Sequence, residues 1–217
     1  MVVTQVFFIR HGSTDSADKR LTGWSRGVHL NARGQAQAEA LPGRLARVPL
    51  EAIYSSPLER ALETALPLAT AKGLKVRQRH GLIELNTGEW TGRSLRALAR
   101  LKHWRVVQTA PSVARFPGGE SLREAQARAV AELEALQEEH PKGAIAVVSH
   151  GDIIKLAIAH YAGLHIDLFQ RLVIAPGSIS LVHFDSGSPR IVRLNDVGAW
   201  EDGVARSAAP GAGPAKV

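Results

Sequence analysis

Runs of apolar residues alternate along this chain with stretches in which apolar residues return every three or four positions. Val6, Phe7, Phe8 and Ile9 form the first run, of strand length, and it stops at Arg10, His11 and Gly12. A polar loop over 13–30 follows, containing Thr22, Gly23 and Trp24. Asn31 is placed to N-cap a helix over 32–46, with Pro42 and Gly43 expected to kink or shorten it. Residues 52–55 predict a second strand, which runs into Ser56-Pro57-Leu58-Glu59. Ser at N-cap, Pro at N1 and Glu at N3 predict a capping box there, opening a helix to about residue 71 with Arg60 in its first turn. Gly73 ends that helix, 75–79 alternates like an edge strand, and 82–92 predicts an irregular segment carrying Glu84, Glu89 and Trp90.

Residues 95–106 read as helical, 111–119 as a loop containing Pro and Gly, and Ser121 with Glu124 as another capping box. Leu122, Ala125, Ala129, Leu133 and Leu136 then follow at helical spacing, a stripe expected to face the core. Residues 144–148 are continuously apolar and predict a buried strand, which ends in Ser149, His150, Gly151 and Asp152 before a further helix. Residues 179–184 and 190–194 predict a hairpin turning over 185–189. The alternation of strands and helices predicts an α/β fold, a three-layer sandwich with a mostly parallel central sheet and helices on both faces. Open sheets of this kind bind ligands outside the carboxyl ends of their strands. Two apolar strands that each finish in His-Gly would therefore set His11 beside His150, provided the strands are neighbours.

A chain of 217 residues accommodates one sizeable core, so a single domain is expected over 1–202, with the Ala-, Gly-, Pro- and Ser-rich 203–217 as a flexible tail. The excess of 27 Lys and Arg over 20 Asp and Glu gives +7, which favours anionic partners. The cations are scattered and not interleaved with aromatic residues, so no nucleic-acid partner is expected. The absence of cysteine excludes disulfides, thiolate metal sites and a cysteine nucleophile. No basic leader is present, and the most apolar later stretch, 153–159, is interrupted by Lys155. No membrane partner and a cytoplasmic location are therefore expected. No Gly-x-x-x-x-Gly-Lys-Ser/Thr occurs, which removes the P-loop kinases and ATPases.

The strand ends carry the candidate chemistry. Arg10 can hold an anion bidentately, His11 can serve as nucleophile or base, and Gly12 would let the backbone approach a bound group. Arg10-His11-Gly12, Ser56-Pro57 with Arg60, Glu84 ahead of Gly88-Glu89-Trp90-Thr91-Gly92, and Ser149-His150-Gly151 follow one another in order. In that order and spacing they resemble the histidine phosphatase superfamily, also called the phosphoglycerate mutase-like family, over about residues 4–184. The resemblance implies His11 as nucleophile, His150, Arg10 and Arg60 as phosphoryl-holding groups, and Glu84 as the group handling the leaving-group proton. It implies substrate contacts from Arg10, Gly12, Ser13, Thr22, Gly23, Arg60, Glu84, His150 and Gly151. Many members carry Glu and then Asn after the Arg-His-Gly; Ser13 and Ala17 stand there in this chain, so Ser13, Thr14 or Ser16 is expected to supply the contact instead.

The expected activity is that of a histidine acid-type phosphomonoesterase, hydrolysing a small-molecule phosphate monoester through a phosphohistidine. Phosphoryl transfer is mostly positioning and charge stabilisation, which two Arg, an imidazole and a helix N-terminus can supply, so no metal or other cofactor is expected. Two alternatives stay open. A phosphoglycerate mutase is suggested by Thr22-Gly23-Trp24 but lacks that group's Glu-Arg-His-Tyr-Gly; the other is a non-catalytic phosphate-binding protein on the same fold. His29, His80, His103, His140, His160, His165 and His183 are expected to be structural or solvated, and Trp90 to pack in the core beneath Glu84. The stretch 104–119 is expected to cover the pocket, with Lys102, Arg105 and Arg115 as candidates for reading a second charge. A homodimer stays open.

Overall fold

Val6 and Phe8 bury their side chains on one face of the first strand and Phe7 and Ile9 on the other, so this strand is covered on both sides. The computed structural model describes residues 3–17, 19–185 and 188–198. Within them the sheet has strands β1 (Thr4–Arg10), β2 (Leu50–Ser55), β3 (Val76–Gln78), β4 (Ala144–Ser149), β5 (Ile179–Phe184) and β6 (Arg190–Asp196), in the order β3-β2-β4-β1-β5-β6. The first four are mutually parallel, whereas β5 runs antiparallel to β1 and β6 antiparallel to β5. β1 and β4 are neighbours with Arg10 opposite Ser149.

The helices are α1 (Ala32–Arg44), α2 (Glu59–Lys72), α3 (Leu95–Leu98), α4 (Lys102–Thr109), α5 (Leu122–Glu139) and α6 (Gly151–Tyr161). Leu41 of α1 and Ala61, Ala65 and Leu68 of α2 pack with Phe7, Ile9, Ala146 and Val148 on one face of the sheet. Leu133 and Leu136 of α5 and Ile154, Ala157 and Ile158 of α6 pack with Val6, Phe8, Ile145 and Val147 on the other. These are the three layers that the alternation of elements predicts. A further apolar cluster, built on Trp90, Leu98, Val107 and Phe116, lies against the outer side of α5 and α6 through Ala125, Ala129, Ile153 and Leu156. No helix among the described residues is long and apolar enough to cross a membrane.

Several local expectations are corrected. α1 is shortened by two residues, the outcome expected of Pro42 and Gly43: Pro42 falls in its last turn, and the Leu45 N–H closes the helix on the Leu41 carbonyl. α2 starts at Glu59 with Leu58 as N-cap and no side-chain cap; the Ser56 hydroxyl lies against His150 and accepts from the Leu58 N–H at 3.3 Å. The helical stretch 95–106 is two helices, α3 and α4, parted where Leu101 is extended; the break lets Leu98 and Val107 enter the same cluster. At Ser121 the capping box forms as expected, with Glu124 N–H donating to Ser121 Oγ at 3.2 Å and Ser121 N–H to Glu124 Oε2 at 2.9 Å. β6 extends to Asp196, two residues beyond the expected end. Part of the β5–β6 turn, at 186–187, and the stretch 203–217 expected as a tail lie outside the described residues.

Candidate active site

Three parallel strands deliver their last residues to one place. The His11 N–H continues the ladder from β1 to the Ser149 carbonyl at 2.9 Å, and the Ser56 N–H continues it from β2 to the Val148 carbonyl at 2.9 Å. The rings of His11 and His150 thereby meet edge to face, with centroids 5.2 Å apart at 60°. Both are buried, His150 completely.

His11 Nδ1 lies 2.8 Å from the Gly12 carbonyl, an acceptor only, so the proton of the neutral ring sits on Nδ1. Nε2 then carries the lone pair, and it has no protein partner among the described residues. Burial, reinforced by the charges of Arg10 and then Arg60, lowers the His11 pKa to about 3, against the smaller raising effect of the Gly12 carbonyl. His150 is likewise held well below the usual histidine range by burial, Arg60, His11 and Arg10 in that order. Its Nε2 lies 2.7 Å from Ser56 Oγ, and its Nδ1 is buried without a hydrogen-bond partner among the described residues, 3.8 Å from Glu84 Oε2.

Arg60, in the first turn of α2, is the largest fully buried side chain of the described residues. It donates from Nη2 to the Gly23 carbonyl at 2.9 Å and from Nη1 to the Ser25 carbonyl at 3.3 Å, while Nε has no hydrogen-bond partner among the described residues. Arg10 donates from Nη1 to the Ile174 carbonyl at 2.6 Å. A Cβ on Gly151 would stand 3.1 Å from Arg10 Nε, so glycine at the start of α6 leaves room for this guanidinium.

Glu84 sits on the irregular segment between β3 and α3. Ser149 Oγ donates to the Leu82 carbonyl at 2.7 Å, Trp24 Nε1 to the Glu84 carbonyl at 2.5 Å, and Arg128 to the carbonyls of Gly81, Ile83 and Glu84 at 2.8, 3.0 and 3.3 Å. The side chain is 15 % exposed, and Oε1 accepts from the Leu85 N–H at 2.9 Å. Burial, helped by the negative charge of Asp152, raises the Glu84 pKa to about 7, against the lowering effects of the Leu85 N–H, Arg60 and Arg10. A carboxyl poised there exchanges protons near neutral pH.

The arrangement thus gathers His11, His150, Arg10, Arg60, Gly151 and Glu84, and several of the other expected site residues also have structural partners. Gly12 is required by packing: a Cβ there would lie 2.6 Å from the Gly34 carbonyl oxygen of α1. Its N–H donates to Thr64 Oγ1 at 3.0 Å, a hydroxyl that itself donates to the Arg60 carbonyl at 2.7 Å. The Ser13 N–H is taken by Gln37 Oε1 at 2.9 Å, and the backbone of Thr14 bridges to Leu30. Gly23, at φ +46° and with no space for a Cβ beside Thr87, holds Arg60 through its carbonyl, and the Thr22 carbonyl accepts the Ser25 N–H at 2.8 Å. Arg115 pairs with Glu124 and with the Gly119 carbonyl, so its charge is already engaged by the start of α5. Trp90 is buried against Trp104 and Phe116 as expected. Sequence reasoning missed Ser56 as the partner of His150, Arg128 as the clasp on the Glu84 segment, and Asp152 as a charge acting on Glu84. A Ser directly after a strand was visible, but its capping pattern pointed elsewhere; Arg128 gives no signal on an amphipathic helix rich in charge. Among the described residues no group of three or more His, Asp or Glu is placed to hold a metal ion.

Comparison with known proteins agrees with this geometry. The chain is 32% identical over 168 residues to phosphoserine phosphatase 1 of Hydrogenobacter thermophilus, covering 76% of this chain and 80% of the relative. It is 32% identical over 183 residues to the probable phosphoglycerate mutase GpmB of Escherichia coli O1:K1 / APEC, covering 83% and 85%. The crystal structure of a putative alpha-ribazole-5'-P phosphatase from Escherichia coli superposes with a TM-score of 0.80 at 26% identity, covering 90% of this chain and 98% of that one. The model of the histidine phosphatase superfamily (branch 1) matches residues 6–197. The chain belongs to that superfamily and is an enzyme that hydrolyses phosphate esters.

Proposed function

We propose that this enzyme hydrolyses a small-molecule phosphate monoester through a phosphohistidine on His11. The observation that carries the reading is the 2.8 Å approach of His11 Nδ1 to the Gly12 carbonyl: a proton committed there leaves the Nε2 lone pair free, and burial with the Arg10 and Arg60 charges opposes uptake of a second proton. In the first step Nε2 attacks phosphorus, the ester P–O bond breaks, and Glu84 gives its proton to the departing oxygen. Arg10, Arg60 and His150 hold the equatorial oxygens, on which the charge spreads. In the second step the Glu84 carboxylate takes a proton from water, the water oxygen attacks phosphorus, and the P–N bond breaks. Inorganic phosphate leaves with His11 and protonated Glu84 restored.

A mutase would need to shield the same phosphohistidine from water. The Thr22-Gly23-Trp24 loop, mutase-like in sequence, holds Arg60 and the Glu84 segment here, which either activity requires. The test is a panel of phosphate monoesters in the presence of a chelator, with inorganic phosphate as readout. Turnover without added metal is expected, and with 3-phosphoglycerate phosphate release should exceed formation of 2-phosphoglycerate. Dominant isomerisation would make the enzyme a mutase, and stoichiometric binding without turnover a phosphate-binding protein.

A further inference from the structure

Ser56 and His150 are both fully buried and meet at 2.7 Å between Oγ and Nε2. That contact allows two assignments. Either the hydroxyl donates to a bare Nε2 and the ring proton is on Nδ1, or Nε2–H donates to the hydroxyl and Nδ1 is bare. The surroundings separate them. Ser56 Oγ already accepts from the Leu58 N–H at 3.3 Å, and its own proton has no acceptor among the described residues other than His150 Nε2. In the second assignment that buried proton would be orphaned, and the Nδ1 lone pair would face the oxygens of a bound phosphoryl group. In the first, the hydroxyl proton is used and the one donor left over among the described residues is Nδ1–H, which remains for the ligand.

The position of this one proton matters because the ring does not carry two. Burial and the surrounding positive groups keep His150 neutral at neutral pH, so only one nitrogen can donate.

Resting on the phosphatase reading above, we propose that Ser56 is a positioning residue, whose hydroxyl fixes His150 as the Nδ1–H tautomer and thereby turns a neutral imidazole into an N–H donor to the phosphoryl group. The hydroxyl oxygen accepts from the Leu58 N–H just ahead of α2, while its proton is directed to the histidine at the end of β4. His11 and His150 then carry the same tautomer for opposite purposes. The Gly12 carbonyl takes the Nδ1 proton of His11 and leaves a nucleophilic Nε2; the Ser56 hydroxyl takes up Nε2 of His150 and leaves a donating Nδ1–H.

The scale follows from related effects. Losing a donor to a developing oxyanion costs about 10²–10³ in rate, and a wrong histidine tautomer in a serine protease triad costs about 10⁴. In Ser56→Ala the ring can still visit the productive tautomer, so a loss of about 10- to 100-fold in kcat/KM is expected.

The experiment is ring ¹⁵N NMR of His150 in uniformly labelled protein at pH 7, titrated with inorganic phosphate, for the wild type, Ser56→Ala and Ser56→Thr. Wild type should show a protonated Nδ1 and an unprotonated Nε2. Ser56→Ala should populate Nε2–H and bind phosphate about tenfold more weakly, and Ser56→Thr should restore both tautomer and affinity. Nε2–H in the wild type would overturn the proposal, as would Nδ1–H retained, or phosphate affinity unchanged, in Ser56→Ala. If Ser56→Ala does not fold, the wild-type spectrum decides by the same criterion. Tautomer and phosphate affinity need no turnover, so failure of the phosphohistidine reading would appear separately, as the lack of an adduct on His11.

Discussion

His11 and His150, far apart in the chain, are brought to a ring separation of 5.2 Å because β1 and β4 pair in parallel with Arg10 opposite Ser149. One further residue along each strand places the two imidazoles level at the carboxyl edge of the sheet, where α/β folds bind ligands.

Arg60 reaches the Gly23 and Ser25 carbonyls with the two ends of its guanidinium. Lysine keeps the charge but has no planar fork with which to span both carbonyls and still donate to a phosphoryl oxygen. Arg60→Lys should lower kcat/KM for a phosphate monoester by about 10²-fold, the scale of one lost oxyanion donor. Near-normal activity would show that charge without geometry is sufficient.

Gly12 is a packing position. A Cβ 2.6 Å from the Gly34 carbonyl oxygen must push the loop after β1 away from α1, and overpacking of this kind costs about 1–3 kcal/mol. Gly12→Ala should therefore lower the midpoint of denaturant unfolding. A midpoint equal to that of the wild type, combined with lost activity, would return Gly12 to the ligand.

Glu84→Gln removes the proton donor while keeping the shape. The loss in phosphorylation rate should be about 10²–10⁴-fold on an alkyl phosphate, whose alkoxide needs the proton, and much smaller on nitrophenyl phosphate, whose leaving anion is stable. Single-turnover measurement isolates this step. Equal losses on both esters would remove Glu84 from the acid role and direct attention to Glu89.

The same carboxyl sets a pH dependence. Its pKa is about 7 in the folded protein against an ordinary 4.5, so the alkyl-ester phosphorylation rate should fall as pH rises through about 7. The sign for stability follows. A raised folded pKa contributes stability that is full below 4.5 and lost as pH rises through 7, where burial of the carboxylate becomes a cost. Glu84→Gln should raise Tm relative to the wild type at pH 8 and leave it unchanged at pH 4. A variant less stable than the wild type at pH 8 would show that the folded protein favours the charged carboxylate.

Much of this site was legible in the sequence because strand ends announce themselves: an apolar run that stops at Arg10-His11 or Ser149-His150 needs only local pattern to be seen. The neighbour relation of β1 and β4 is long-range and had to be supposed. What local pattern does not show are partners that come from distant elements. Ser56 fits a capping box in sequence, yet its hydroxyl faces His150. Gly12 reads as a ligand-approach glycine, and nothing local shows that it also admits α1, or that Gly23 packs under Thr87 while holding Arg60. Arg128 clasps the Glu84 segment from a helix whose charges look solvated.

The central claim is that His11 carries the phosphoryl group. Rapid mixing with a good substrate, quenching at alkaline pH and peptide mass spectrometry should find a phosphoryl adduct on His11 that is lost on acid treatment and absent from His11→Ala. An adduct on His150 instead, or turnover by the wild type with none on either histidine at any quench time, would contradict the account.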